Sequence, residues 1–191
     1  MAIEGAQVRL REERADDVDF LAGLRNDLET QAWPKSLPPH YTREMLAKRY
    51  EAREFSFNPD EGRFIIEEKD TGGRVGFIGY MGLAPRFSAS LGVMIAKQFW
   101  GTGYAFEAND LLLRFMFEEL GLRVVRLWTH SLNHRAIALA AKLGFQTTVQ
   151  FRRSIYREGR LGGSVVMDIT RQEFYELRED LTDRLPDPFV E

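Results

Sequence analysis

The stretch from Ser88 to Ala105 constrains this chain more than any other. A strand-like run, Ser88 to Ala96, passes without a break into Gln98-Phe99-Trp100-Gly101-Thr102-Gly103-Tyr104-Ala105, and an amphipathic helix opens there. From Tyr104 to Leu120 the polar residues Glu107, Asp110, Arg114 and Glu118 fall on one stripe, leaving Ala105, Ala108, Leu112, Phe115 and Met116 for a core. A strand that turns at once into such a helix lays the helix back on its sheet, which makes the fold α/β. A helix N-terminus offers unpaired N–H groups and a positive dipole end, and Gly101 and Gly103 remove the side chains that keep an anion off the backbone. The plainer reading is a turn that uses glycine for geometry alone. A nucleotide-triphosphate loop needs a Lys-Ser or Lys-Thr pair after its glycines, which is missing here. A dinucleotide loop needs a third glycine where this chain has Phe106.

The remaining periodicity fills in a single mixed α/β sheet. Gln7 to Arg11 alternates as a short strand, and Val18, Leu21, Leu24 and Leu28 mark a helix over Ala15 to Leu28. Trp33 to Tyr41 holds three prolines and two aromatics, so an ordered loop is expected there, with Thr42 capping a second helix to about Arg53. Arg63 to Glu68 and Arg74 to Leu83 form a hairpin across Asp70-Thr71-Gly72-Gly73. Arg123 to Thr129 is a strand, Asn133 to Leu143 a short helix stopped by Gly144, and Phe151 to Tyr156 with Ser164 to Thr170 a closing hairpin. The expectation is a mixed, mostly antiparallel central sheet of about seven strands flanked by helices, in one domain over residues 1–170, with 171–191 as a C-terminal helix or tail.

Composition narrows the partners. With 26 basic and 29 acidic residues interleaved and a net charge of −3, duplex nucleic acid is disfavoured as a partner. No run of 18 apolar residues suggests a membrane span, and the N-terminus lacks an apolar signal core, so a cytoplasmic protein is expected. The absence of cysteine removes thiolate chemistry, and three scattered histidines, with His40 and His134 read as surface residues, make no metal cluster. The Pro-rich loop and the C-terminal tail are the segments on which a homodimer would rest.

Several motifs then coincide at fixed spacing. The strand Gly92-Val93-Met94-Ile95, Gln98-x-x-Gly101-x-Gly103, the segment Asn133-x-x-Ala136-Ile137-x-Leu139-Ala140-x-Lys142-Leu143-Gly144-Phe145 and the hairpin at Tyr156 to Arg160 follow one another in this order. From Leu91 to Met167 the chain resembles the GNAT superfamily, in particular the branch of ribosomal-protein N-terminal acetyltransferases; Arg25-Asn26 extends the likeness weakly into the first half. The resemblance implies an acyl-CoA-dependent N-acyltransferase that uses acetyl-CoA and a primary amine of a small molecule or protein N-terminus. It implies main-chain bonds from Val93 and Ile95 to pantetheine amides and a pyrophosphate cradle over Gln98, Phe99, Trp100, Gly101, Thr102, Gly103, Tyr104 and Ala105. Asn133, Ala136 and Ala140 would line the pantetheine arm.

Each residue also has a structural reading: Asn133 as an N-cap, Ala136 and Ala140 as core spacing, Phe99 and Trp100 as packing. The chain departs from the family where proton transfer is expected. The frequent tyrosine is Ala140, and the strand glutamate is replaced by Trp128 or Ser90. His130 is the titratable candidate for the base, since an ordinary histidine pKa of about 6.5 suits transfer near neutrality; Ser131, Tyr156 and water are the alternatives. A non-catalytic acyl-CoA binding protein, and a transferase using succinyl-CoA with Arg25 as the cation, are the competing readings.

Overall fold

The computed structural model describes residues 2–30, 41–54, 59–157 and 159–178. One sheet carries β1 (Ala2–Glu4), β2 (Val8–Glu12), β3 (Gly62–Glu68), β4 (Arg74–Ala84), β5 (Ser88–Ile95), β6 (Val124–His130), β7 (Gln146–Arg157) and β8 (Arg160–Thr170). Their spatial order is β1-β2-β3-β4-β5-β6-β8-β7. Every neighbouring pair is antiparallel except β5 with β6. The mixed, mostly antiparallel sheet is therefore as expected, with eight strands where the sequence suggested about seven. The added strand, β1, has three residues, too few for alternation to register. It exists because the Gly5 amide donates to the Val8 carbonyl (2.9 Å) and folds the N-terminus against β2.

Helices α1 (Val18–Asn26) and α2 (Arg43–Glu54) lie on one face, and α3 (Tyr104–Arg114) and α4 (His134–Leu143) on the other. Successive strand residues point to opposite faces. Hence Ile65 packs with Val18, Leu21 and Leu46 under α1 and α2, while Ile66 joins Val8, Leu10, Ala108, Leu112 and Met116 under α3. The Thr42 hydroxyl accepts the Met45 amide at 3.1 Å and opens α2 as its sequence predicts. The loop expected over Trp33 to Tyr41 lies, apart from Tyr41, outside the described residues. The expected continuous helix to Leu120 changes pitch: after Arg114 a π-turn runs over Phe115–Glu119.

The closing hairpin is longer than its alternation revealed. Register shifts at Thr147/Val149 and Phe151/Ile155, with Arg153 at a φ of 50°, interrupt the two-residue period in β7. After β8, α5 (Arg171–Glu176) seats Phe174 in the larger core, 4.9 Å from the ring of Phe117. A buried ion cluster pins the start of α1 to the sheet. Arg11 grips Asp17 through both terminal nitrogens (2.8 and 2.9 Å), Arg74 adds a contact of 2.6 Å, and Glu67 takes Arg9 and Arg11 together. Burial alone raises the Asp17 pKa, but hydrogen bonds from Arg11, Arg74 and the Arg14 amide outweigh it and hold the carboxyl at about 2.

Candidate functional site

The single parallel pair, β5 with β6, meets only over Ser88↔Val124, Ala89↔Val125 and Ser90↔Arg126. Beyond Ser90, β5 stays with β4 as far as Ile95, and β6 stays with β8 as far as His130. The two halves of the sheet therefore part as a wedge that opens toward the C-terminal ends of β5 and β6. Those ends feed α3 and α4, whose N-termini stand at its mouth. Ligands of α/β sheets collect at such a place, because strand edges and helix ends there present main-chain groups that no neighbour uses.

The turn after β5 keeps its donors available. Gly101 (φ 85°) and Gly103 (φ 94°) occupy left-handed backbone that a residue with a Cβ resists, and no atom lies within 4 Å of where either Cβ would be. Positive φ, and not crowding by the protein, accounts for both glycines. Among the described residues the amides of Gly101, Gly103, Ala105 and Phe106 have no protein acceptor. The Tyr104 amide reaches only its neighbour's Thr102 hydroxyl, at 3.4 Å. These are the N–H groups on which an anion can settle.

The aromatic residues of the turn fix its shape. Trp100 Nε1 donates to the Ile95 carbonyl at 3.0 Å, so that carbonyl is already engaged, whereas Val93 lies past the last β5–β6 pair and is exposed. Phe99 packs on the core with its ring 5.9 Å from Tyr104, and the Tyr104 hydroxyl donates to Glu68 on β3. Both rings thus serve packing, and Tyr104 faces the turn with main chain only. Thr102 closes the turn by donating to the Phe99 carbonyl at 2.8 Å, and Gln98 is exposed at its start.

The second mouth is built differently. Asn133 Oδ1 accepts the Ala136 amide at 3.3 Å and its Nδ2 donates to Thr129 Oγ1 at 3.2 Å, which makes it the N-cap of α4. Ala136 is half-buried, and Ala140 one turn later is 2% exposed within the larger core. His130 ends β6, and its carbonyl accepts the Asn133 amide at 2.9 Å. By alternation it shares a face with Arg126 and Trp128, opposite Val125 and Leu127, which belong to the α3 and α4 side. Ser131 is clasped to β8: its amide donates to the Gly163 carbonyl and its hydroxyl accepts the Gly163 amide, both at 2.8 Å.

Two features escaped the sequence reading. The Arg135 guanidinium lies 3.5 Å over the ring of Trp100, joining the first turn of α4 to the glycine turn. The available signal was an arginine at the start of a helix, where the dipole disfavours a cation unless an anion is near. The other feature is the row Ser90, Arg126, Asp168 across the closed end of the wedge. Burial raises the Asp168 pKa, Arg126 opposes that and Glu173 adds to it. No segment signal links residues so far apart in the chain. Among the described residues there is no group of three or more His, Asp or Glu placed to hold a metal, and no helix long and apolar enough to cross a membrane.

Known proteins resemble this chain in sequence and in fold. A family model described as an acetyltransferase (GNAT) domain matches residues 7–146. The SPbeta prophage-derived uncharacterized N-acetyltransferase YokL of Bacillus subtilis is 34% identical over 117 residues, covering 60% of this chain and 65% of that protein. The uncharacterized N-acetyltransferase YoaA of the same organism is 31% identical over 98 residues, covering 51% and 55%. The matched stretches thus span about two thirds or less of those relatives. Among solved structures, the spermidine N-acetyltransferase of Vibrio cholerae in complex with CoA and spermine superposes with a TM-score of 0.80 at 22% identity, covering 89% of this chain and 99% of that one. An acetyltransferase (GNAT family) of Bacillus anthracis gives 0.75 at 16% identity, covering 89% and 98%. At those identities the likeness concerns the fold.

Proposed function

The chain belongs to the GNAT acetyltransferase family, and from that premise we propose that it transfers an acyl group, most simply acetyl, from its coenzyme A thioester to a primary amine of a small molecule or a protein N-terminus. The observation that carries this reading is the wedge between β5 and β6, with the glycine turn's amides open at its mouth. A pyrophosphate fits there because several N–H groups converge at the positive end of α3. In this reading Gln98 to Ala105 take the pyrophosphate through main chain, and Arg135, held flat on Trp100, adds a cation at the rim. Val93 offers its main chain to the pantetheine amides; Ile95 does so with an amide whose carbonyl partner is already on Trp100. Asn133 and Ala136 flank the arm.

The reaction this supports is direct. The amine nitrogen, once neutral, attacks the thioester carbonyl, the C–S bond breaks, and the thiolate leaves with a proton. Holding amine and thioester together removes much of the entropic barrier, and main-chain N–H groups beside the wedge steady the oxyanion. His130 is the base of this reading, at the end of β6 on the face opposite α3 and α4. No tyrosine stands at position 140 to protonate the thiolate, so water takes that part. The branch assignment to ribosomal-protein N-terminal acetyltransferases belongs to the same reading and rests on motif spacing. Nucleic acid and membranes have no part in it, a cytoplasmic setting is assumed, and a homodimer is the assembly to look for by sedimentation.

Calorimetry with acetyl-CoA tests the donor half, and CoA release against a panel of amines and N-terminal peptides tests transfer. No binding at millimolar acetyl-CoA sinks the reading; binding without release favours an acyl-CoA binding protein. For His130→Ala the expected result is about a tenfold or larger loss of turnover with removal of the acid limb of the pH–rate profile. A change under about threefold with an unaltered profile removes His130 from the mechanism.

A further inference from the structure

On the half of the sheet made of β6, β8 and β7, helices α3, α4 and α5 pack against the face that carries Val125, Leu127, Val165 and Met167. The strand register sets two rows on the other face, Trp128–Val166–Val149 and His130–Ser164–Phe151. The rings of Trp128 and Phe151 stack, 5.7 Å apart and 16° from parallel, across β8, whose Val166 and Ser164 are buried. Even with Phe151 against it, Trp128 is 51% exposed, and Val149 and Phe151 are exposed beside it.

The register also puts Trp128 at the wedge. Ser90↔Arg126 is the last β5–β6 pair, so Gly92 and Trp128 are the first residues of this face at which the two strands stand apart. Two residues of strand set Trp128 roughly 7 Å beyond the closed end. Across the gap Gly92 has no side chain, and Met81, which pairs with Ser90 from β4, fills that place: its Cε lies 3.7 Å from where a Cβ on Gly92 would stand. Met81 is 55% exposed. A thioether thus borders the opening on one side and an indole on the other, both apolar and polarizable. The residues of this face at the opening, Met81, Ser90, Gly92, Arg126, Trp128 and His130, include no carboxylate; Asp168 pairs with Arg126 at the closed end.

Because α3 and α4 close the opposite face, an amine would reach a thioester in the wedge from the side of Trp128 and His130. Resting on the transferase reading above, we propose that the acceptor carries an aromatic or branched apolar group beside its amino nitrogen. That group lies between Trp128 and Met81 while the nitrogen enters the wedge. Placing it there removes its own apolar surface and that of both side chains from water together. A polyamine such as the spermine of the Vibrio cholerae complex does not suit this opening, since its further ammonium groups would meet Arg126 and no carboxylate there. The same chemistry is offered by a free amine or by an apolar first residue of a protein.

Turnover with acetyl-CoA is measured on matched acceptors: phenethylamine and isoamylamine against ethylamine, peptides opening with phenylalanine against the same peptides opening with aspartate, and spermidine. The expected result is a preference of about tenfold or more in kcat/KM for the apolar member, as partial burial of one aromatic group supplies. Its appearance with free amines alone or with peptides alone identifies the source of the acceptor. Trp128→Ala and Met81→Ala should each remove most of the preference by raising KM for the apolar member, and Trp128→Phe should keep part of it. Equal loss on both members in Trp128→Ala, with a lowered melting temperature and no effect of Met81→Ala, makes the stacked rings a cover for β8 and overturns the proposal. So does a higher kcat/KM for spermidine than for phenethylamine. Acetyl-CoA binding with no preference, or with no turnover of any member, also overturns it and leaves the donor site standing; absence of acetyl-CoA binding sinks the reading beneath it as well.

Discussion

The two strand–turn–helix units at the wedge share one architecture and treat their helix ends in opposite ways. At β5–α3 the turn is made of glycines with positive φ, and the Ala105 and Phe106 amides of the first helical turn have no protein acceptor among the described residues. At β6–α4 the Asn133 side chain accepts the Ala136 amide and ties the cap back to Thr129. Each helix begins with orphan N–H groups by construction. One unit leaves them open, as a bound anion would require, and the other uses its own side chain. An open end forgoes the stability a cap supplies and keeps donors available, while a capped end is held rigidly by its own side chain.

The largest test of this contrast is Gly103→Val. A β-branched residue at a φ of 94° is strained, so kcat/KM for acetyl-CoA should fall about a hundredfold, chiefly through KM. An unchanged KM would show that the open end holds no phosphate. Next comes the frame that both units share. The Asp17 pKa is lowered from 3.8 to about 2, so its stabilisation is complete above pH 3.8 and lost as the pH falls through about 2. That loss is worth roughly 2 kcal/mol. Urea midpoints across that window should drop, and Asp17→Asn should flatten the dependence while affecting both units alike.

Asn133→Ala should cost about 1 kcal/mol in chemical denaturation, with a smaller effect on acetyl-CoA binding than Gly103→Val. If it weakens binding more, the capped end is the ligand's main anchor and the contrast reverses. The smallest expected effect is that of Arg135→Ala, about a threefold rise in KM for acetyl-CoA that shrinks with added salt, because an exposed cation near phosphates is screened. A salt-independent change would mean that stacking on Trp100, and not charge, is what Arg135 supplies.

The backbone geometry of the proposed donor site was legible because its signals are local. Gly101 and Gly103 before an amphipathic run, and Asn133 before an alanine-rich one, act within a few residues of where they stand. Gly144 behaves likewise, taking a φ of 101° where α4 stops. Phe99 and Trp100 proved to be packing residues, in keeping with their apolar bulk, but the engagement of the Ile95 carbonyl by Trp100 depends on a ring orientation that no pattern encodes. The cluster on the α1 and α2 face was hardly legible. Arg25 on α1, Tyr41 just ahead of α2 and Phe77 on β4 meet only after the two helices dock on the sheet.

The sequence by itself determined the order of elements, their periods, the helix ends and the turn chemistry, since these follow from φ preferences and apolar spacing over short stretches. It missed β1 and understated β7, where three residues or a bulge leave too little period to read. Only the tertiary structure decided that β5 and β6 pair for three residues and then part. How far two strands pair depends on contacts between residues distant in the chain, which no short stretch encodes, and here it leaves the glycine-rich turn at the mouth of the proposed site.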